Sequence, residues 1–488
     1  VMHVLAKLFS VVAAAAAGIA AATASAEPIA FTGATIIDAT GRAPIEDGVL
    51  VVEDGRIVAV GNRRTTRIPA GAKIIRKQGK YILPGLMDAN VHLWSWIQAP
   101  LLLHFEGRYE EGILEAAQLK LKYGITSVFD TWGPRGPLVN VRDRIRSGQA
   151  VGSRIFVGGN IIGFDGPFSE DFAPSGWSRR VPPLDKATID RINAIWTQGV
   201  SGDELMTRTA DEVGAAVGRY IAAGKVDFIK YASSGQRDTR FIVFSPAAQA
   251  AIVAAGHKAG LTVQAHSTTV ESLRMAFDAG VDILTHCNHT SDHPIPEDLA
   301  ARIATARRDC SAMIQTRAGL AAFKGASTLD FDVADRNNTN LIAHGVKMMA
   351  ATDGQPPTPS LQGGAPPEFF ADWRHGMTWY LSSAVAHGMT PMQALMAATR
   401  NVAEGYGRKD LGTLEAGKLA DLLILNADPL ADARNYEDID TVVLGGRIVD
   451  RQALPTKSIF EEGLGVLRQD ARREAALKAP ATAPKPSH

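Results

Sequence analysis

The chain is short of several things that would place it in a broad class at once. Its 488 residues include only two cysteines, Cys287 and Cys310, so no disulfide framework underlies the fold. Cys287 follows His286 and is expected on the opposite side of its strand, as a small buried thiol. Neither sign of charge is in excess: Lys+Arg and Asp+Glu both total 51. That balance argues against a nucleic-acid or polybasic membrane role. Beyond the first 22 residues no apolar run is long enough to span a bilayer. No short-period repeat is present either.

What is there is an ordinary large core. The chain is 46% hydrophobic and 21% charged. Its length suits two or three average domains, or one α/β barrel with additions. At the start, Lys7 precedes an Ala-rich run through Ala22, and Ala24-Ser25-Ala26 fits a small-residue cleavage site. Residues 1–26 are therefore expected to be a signal peptide. The mature chain would be exported, periplasmic or secreted, with no membrane span after cleavage.

Residues 27–85 read as all-β. Gly48–Val52 and Ile57–Val60 flank Glu53-Asp54-Gly55-Arg56, a hairpin turn signal. Residues 405–455 repeat the style, with Ala420–Leu425 and Thr441–Leu444 before Gly445-Gly446. The two ends are expected to build one small β-sandwich around an inserted domain, residues 86–404. The tail, residues 456–488, reads as a partly disordered extension.

The inserted domain is organised around Leu83-Pro84-Gly85-Leu86-Met87-Asp88-Ala89-Asn90-Val91-His92. Side chains alternate along a strand, so Asp88, Asn90 and His92 are expected on one face. Later apolar runs end on Lys230, His266, His286 and Asp353, each run following a helix-like segment closed by Gly224, Gly260, Gly280 or Gly345. Repeated helix–Gly–strand units predict an α/β fold, a (β/α)8 TIM barrel whose functional groups sit at the strand ends. Runs ending at Asp130, Gly159 and Gln315 fill the second, third and seventh places, and Pro391–Glu404 reads as one helix. Long connections after strands three and eight, from Ile161 and from Gly354, are expected to overhang the site.

Imidazole, carboxylate and a modified lysine are ligands for zinc and similar divalent ions. Singly, each residue has a plain structural explanation, and Lys230 also suits a buried ion pair or a Schiff base. Jointly, Asn90, His92, Lys230, His266, His286 and Asp353 hold matching places on five strands.

With these motifs, and with Thr352-Asp353-Gly354, Ala397-Ala398-Thr399-Arg400-Asn401 and the run Gly412–Asp421, the chain resembles the amidohydrolase superfamily. It is most similar to the imidazolonepropionase and Xaa-Pro-dipeptidase-like branch. The resemblance implies a centre of one or two divalent ions, zinc in the first instance with cobalt or manganese as alternatives. His92 and Asp353 would bind one ion and His266 and His286 the other, with a carboxylated Lys230 between them. Where the family has His-x-His this chain has Asn90-x-His92, and a carboxamide is a weaker donor than imidazole. The Asn-x-His variant resembles phenylurea hydrolases and molinate hydrolase.

The implied activity is hydrolysis of a C–N bond in an amide, urea or carbamate-like small molecule by metal-activated water, with Asp353 as the catalytic proton carrier. An Xaa-Pro or acyl-amino-acid dipeptidase, an esterase or lactonase, and a non-catalytic binding barrel are the alternatives. A homo-oligomer is expected. Tyr231 and His289 are candidate substrate contacts. So are Trp94 and Trp177, because five of the seven tryptophans follow strand ends. Those rings suggest a hydrophobic or aromatic substrate group.

Overall fold

The computed structural model describes residues 27–94, 99–169, 184–235, 241–316, 318, 330–354, 374–456, 459, 463 and 465. The expected signal peptide, Trp177, most of the extension, and much of the two long connections lie outside these residues.

The first five strands are β1 (Ile29–Ile36), β2 (Ile45–Glu53), β3 (Arg56–Asn62), β4 (Lys73–Arg76) and β5 (Tyr81–Pro84). Nine follow: β6 (Leu86–Val91), β7 (Ile125–Asp130), β8 (Arg154–Val157), β9 (Ile161–Ile162), β10 (Ile229–Ala232), β11 (Val263–His266), β12 (Ile283–Thr285), β13 (Asp309–Ala312) and β14 (Lys347–Ala350). The last are β15 (Leu422–Leu425), β16 (Ile439–Leu444) and β17 (Arg447–Ile448).

Both chain ends enter one eight-stranded sheet, in the order β17-β16-β15-β5-β1-β2-β3, with β4 paired to β1. The join is β5 against β15, antiparallel from Leu422 opposite Pro84 to Leu425 opposite Tyr81. Asp54 and Gly55 both take positive φ, 48° and 77°, which lets two residues reverse the chain between β2 and β3. Alternation gives the sheet two apolar faces: Phe31, Leu50, Ile82, Leu422 and Ile424 on one, Ala30, Val49 and Val51 on the other.

Strands β6 to β14 form two parallel sheets, β6-β7-β8 and β9-β10-β11-β12-β13-β14. Helices separate successive strands except β8 and β9, and Ser245, Thr209 and Thr269 cap three of them through backbone N–H groups of the first turn. Gly260, Gly280 and Gly345 take left-handed φ before β11, β12 and β14. At the fourth unit Gly224 stays helical and Lys225 adopts that conformation instead. Hydrogen bonds cross both gaps between the sheets. Val157 accepts from the Asp227 N–H at 2.8 Å, while Asp353 and His92 N–H groups bond to Asn90 and Gly354 carbonyls at 2.9 Å each.

Beneath the strand ends lies a plug of Met87, Ala89, Phe129, Phe156, Phe228, Ile283, Met349 and Tyr406. Tyr406 stacks on Phe129 and donates its hydroxyl to the Ala89 carbonyl at 2.7 Å.

Three local expectations are corrected. The third strand is split, and β9 pairs with β10. Pro391–Glu404 is two helices, Pro391–Ala397 and Arg400–Gly405, because the Ala398 carbonyl leaves the helical ladder to accept the Met87 N–H. The two cysteines are not free thiols: Cys287 and Cys310 are joined as a disulfide, with Cα atoms 5.9 Å apart. Residue 310 lies beside Leu284 on the neighbouring strand, so a turn at His286 suffices to bring Cys287 to it.

Candidate functional site

Asn90 and His92 reach the site because β6 is irregular. Between the pairs Asp88–Val128 and Val91–Asp130, three steps of β6 match two of β7. The extra residue reverses the alternation. Met87 and Ala89 therefore enter the plug, and so do Asn90 and His92 face inward beyond it, while Asp88 is turned to the helix layer. There Asp88 accepts from Lys120 at 3.0 Å, and from the Thr352 hydroxyl and N–H at 2.5 and 3.0 Å, with neither ion exposed. The expected common face of Asp88, Asn90 and His92 is thus corrected. Asp88 is a structural partner of the residue next to Asp353.

His286 and Asp353 both stand just past their strands with left-handed φ, 37° and 49°. Each is swung off the alternation its strand would impose. The Asp353 carboxylate accepts from Asn90 Nδ2 at 2.7 Å and pairs with His92 Nε2 at 3.0 Å, both on Oδ1. Burial pushes this carboxyl up, but the charge and hydrogen bond of His92, with Lys230 and His286, outweigh it and hold it well below the usual carboxylate range.

Lys230 is fully buried, with Nζ 3.2 Å from Thr131 Oγ1 and 3.5 Å from Asn90 Oδ1. Thr131 in turn donates to Asn90 Oδ1. Burial brings the Lys230 ammonium down to about 8 against the pull of Asp353 and Asp130. The same burial pushes Asp130 up to about 8, although it accepts the Leu93 N–H at 2.7 Å.

The His266 and His286 rings meet edge to face, 4.6 Å apart. Burial, then the neighbouring charges of His286 and Lys230, takes His266 well below its ordinary value. Burial and Lys230 take His286 down to about 3. Lys230 thus acts electrostatically on Asp353, His266 and His286 alike.

These residues suit a divalent ion by the chemistry of their nitrogen atoms. His286 Nδ1 lies 3.0 Å from the Ser267 carbonyl, and His266 bonds to the backbone of Gly235, leaving its buried Nε2 without a partner among the described residues. Backbone carbonyls on one nitrogen fix the tautomer and present the other as a lone pair. His92 places Nδ1 3.3 Å from the Trp132 carbonyl and Nε2 against Asp353. Both partners are acceptors, so the ring keeps both contacts only as a cation, and a metal in place of the Nε2 proton meets the same need. Among the described residues no three His, Cys, Asp or Glu side chains form a ready cage. The set is an imidazole pair and an imidazole–carboxylate pair, with Asn90 and Lys230 supplying the remaining polar atoms.

The other candidates separate. Tyr231 faces outward and donates its hydroxyl to Gln249 Oε1 at 2.9 Å, in the helix Pro246–Lys258. It is remote from the strand-end cluster, as alternation after Lys230 requires. Trp94 is fully buried against Phe105 and Tyr109 and is scaffold rather than pocket wall. The rings that do meet site imidazoles are Trp132, edge-on to His92 at 6.2 Å, and Phe164, edge-on to His266 at 5.1 Å. His289 is buried and acts electrostatically on His286. The sequence reading passed over Thr131, Asp130 and Lys120. Asp130 ends an apolar run just as the candidate ligands do, and that form was the signal available.

The sequence profile of the amidohydrolase family matches residues 81–449. An imidazolonepropionase of Methylobacterium sp. (strain 4-46) is 25% identical over 414 residues, covering 81% of this chain and 91% of that protein. A solved structure of molinate hydrolase superposes with TM-score 0.83 at 33% identity, covering 89% of this chain and 97% of the other. Phenylurea hydrolase B gives TM-score 0.82 at 32% identity, over 89% and 99%.

Proposed function

The chain belongs to the amidohydrolase family, and from that premise we propose that it is an exported, metal-dependent hydrolase of an amide, urea or carbamate-like C–N bond bearing a hydrophobic or aromatic group. In this reading the two parallel sheets are arcs of one (β/α)8 barrel, and the sheet from the chain ends is its accessory sandwich. The observation that carries the proposal is the tautomer control just described: His266 and His286 held through their backbone bonds, with Nε2 of His266 left without a partner among the described residues.

His266, His286 and Lys230 would hold one ion, and His92, Asp353 and Asn90 the weaker position. A divalent ion there supplies Lewis-acid polarisation of the carbonyl and lowers the pKa of water from about 15.7 towards about 7. Lys230 ligates only after carboxylation, and its lowered pKa favours the neutral amine that combines with carbon dioxide. Asp353 takes the proton of the attacking water and returns it to the leaving nitrogen. Both hydrogen bonds to this carboxylate fall on Oδ1, which leaves Oδ2 for the proton. Trp132 and Phe164 give the apolar flank.

The direct test is a turnover screen of purified protein against matched aryl and methyl amides, ureas and carbamates, beside metal analysis. Aryl substrates are expected to show the higher kcat/KM, and Phe164→Ala to narrow the ratio several-fold; a preference for small polar amides would refute the apolar flank. A second expectation concerns Asn90. Wild type should retain one tight ion, and Asn90→His should raise the second towards equal occupancy. Two equally tight ions in wild type, counted by elemental analysis, would overturn it.

A further inference from the structure

Buried polar groups almost always find a partner, so those that do not call for a reason. Among the described residues two side chains near the strand-end cluster each leave two buried polar atoms without a partner. Gln315 has neither Nε2 nor Oε1 hydrogen-bonded, and His289 has neither ring nitrogen bonded. They are 3% and 2% exposed.

Their backbones are fixed beside one another. Asn288 brackets Met313, donating to its carbonyl at 3.1 Å and accepting its N–H at 3.2 Å. The Gln315 carbonyl is held by the Ser383 hydroxyl at 2.6 Å. In register, Ser311 lies beside Thr285, whose hydroxyl bonds to the inward-facing Gln264. Alternation from Ser311 then puts Met313 and Gln315 on the inner side, at the mouth. His289 stands one turn past His286, edge-on to Phe331 at 5.9 Å, and the carboxylate of Asp353 acts on it electrostatically.

We propose that Gln315 and His289 form a substrate-recognition pair, selecting a planar neutral group that carries an N–H beside a carbonyl. This rests on the hydrolase reading above and narrows its substrate class to secondary amides and N–H ureas. A carboxamide offers one acceptor and two donors, and a neutral imidazole offers one of each. An amide N–H with its C=O satisfies donor and acceptor together. A carboxylate or an ester satisfies only the donors, and leaves Gln315 Oε1 buried and bare. Rejection by unpaired buried groups is the strong form of discrimination.

The test compares acetanilide and N,N-dimethyl-N′-phenylurea with their analogues methylated at the remaining N–H, in wild type, Gln315→Met and His289→Phe. Wild type is expected to favour the N–H compounds at least tenfold in kcat/KM. Gln315→Met should shrink that ratio at least fivefold, through loss on the N–H compounds only. Because the Gln315 amide has no partner among the described residues, the melting temperature of Gln315→Met should hold or rise. Equal handling of N–H and N-methyl compounds by wild type, an unchanged ratio in Gln315→Met, or a fall in its melting temperature overturns the proposal. If the native protein cleaves no C–N substrate of any kind, the hydrolase reading fails instead. Calorimetric binding of the two acetanilides to the Asp353→Asn protein reads the selectivity without turnover.

Discussion

Replacing Asp353 by Asn is expected to lower kcat by about 10²–10⁴-fold, the usual cost of removing a general base. The change is nearly isosteric. An amide oxygen can still accept the bonds from Asn90 Nδ2 and His92 Nε2 that orient the side chain. What is lost is the second carboxylate oxygen as a proton acceptor. The imidazole pair does not depend on Asp353 for its tautomer, which the Ser267 carbonyl and the Gly235 backbone set. Much of the bound metal should therefore remain. The experiment measures kcat on whichever substrate the screen identifies, with metal content and melting temperature on the same sample. A near-normal rate would show that Asp353 is a ligand or a strand cap and that the proton travels elsewhere.

Lys120→Met should cost about 3–5 kcal/mol of folding stability, because it strands Asp88 as an unpaired buried charge. Both partners are fully buried. Adding Asp88→Leu removes the stranded charge and should restore a good part of the loss. Recovery stops short of complete because Thr352 then loses the acceptor for its N–H. Denaturant midpoints of the two variants measure this. A loss under about 1 kcal/mol in Lys120→Met would mean that Asp88 is relieved by water or by taking up a proton. Thr352 directly precedes Asp353, so the single variant should also turn over more slowly than wild type at temperatures where both are folded.

These two residues also mark where the sequence could be read and where it could not. The places of His266, His286 and Asp353 at or just past their strands were legible because apolar runs and glycines set their rhythm, whereas Lys230 proves to be the second residue of β10, level with Gln264 rather than at the strand end. Tyr231 followed the same rule, and its outward position is what alternation requires. Asp88 did not, since one extra residue in β6 reverses the faces and leaves no trace in composition. Lys120 reads as an ordinary surface lysine in an amphipathic helix, and only its three-dimensional partner explains its burial. Trp94 misled for a related reason. A ring after a strand end can turn to the site or to the helix layer, and here the pocket of Phe105 and Tyr109 claims it. The carbonyls of Trp132 and Ser267 are beyond any sequence argument, because backbone acceptors have no residue signature.

The bonds that join β6 to the end of β14 bear on how the chain reaches its native state. Asn90 and Asp353 are 263 residues apart in sequence, and Asp88 and Thr352 are 264 apart. Contacts of such span are entropically costly to close and slow to form. A nascent chain that has emerged as far as His286 already carries five of the six candidate site residues but lacks the Asp353 carboxylate to which Asn90 Nδ2 donates. Activity should consequently appear in refolding only with the slowest phase, well after helical signal has recovered, because the contacts that complete the site close the longest loops.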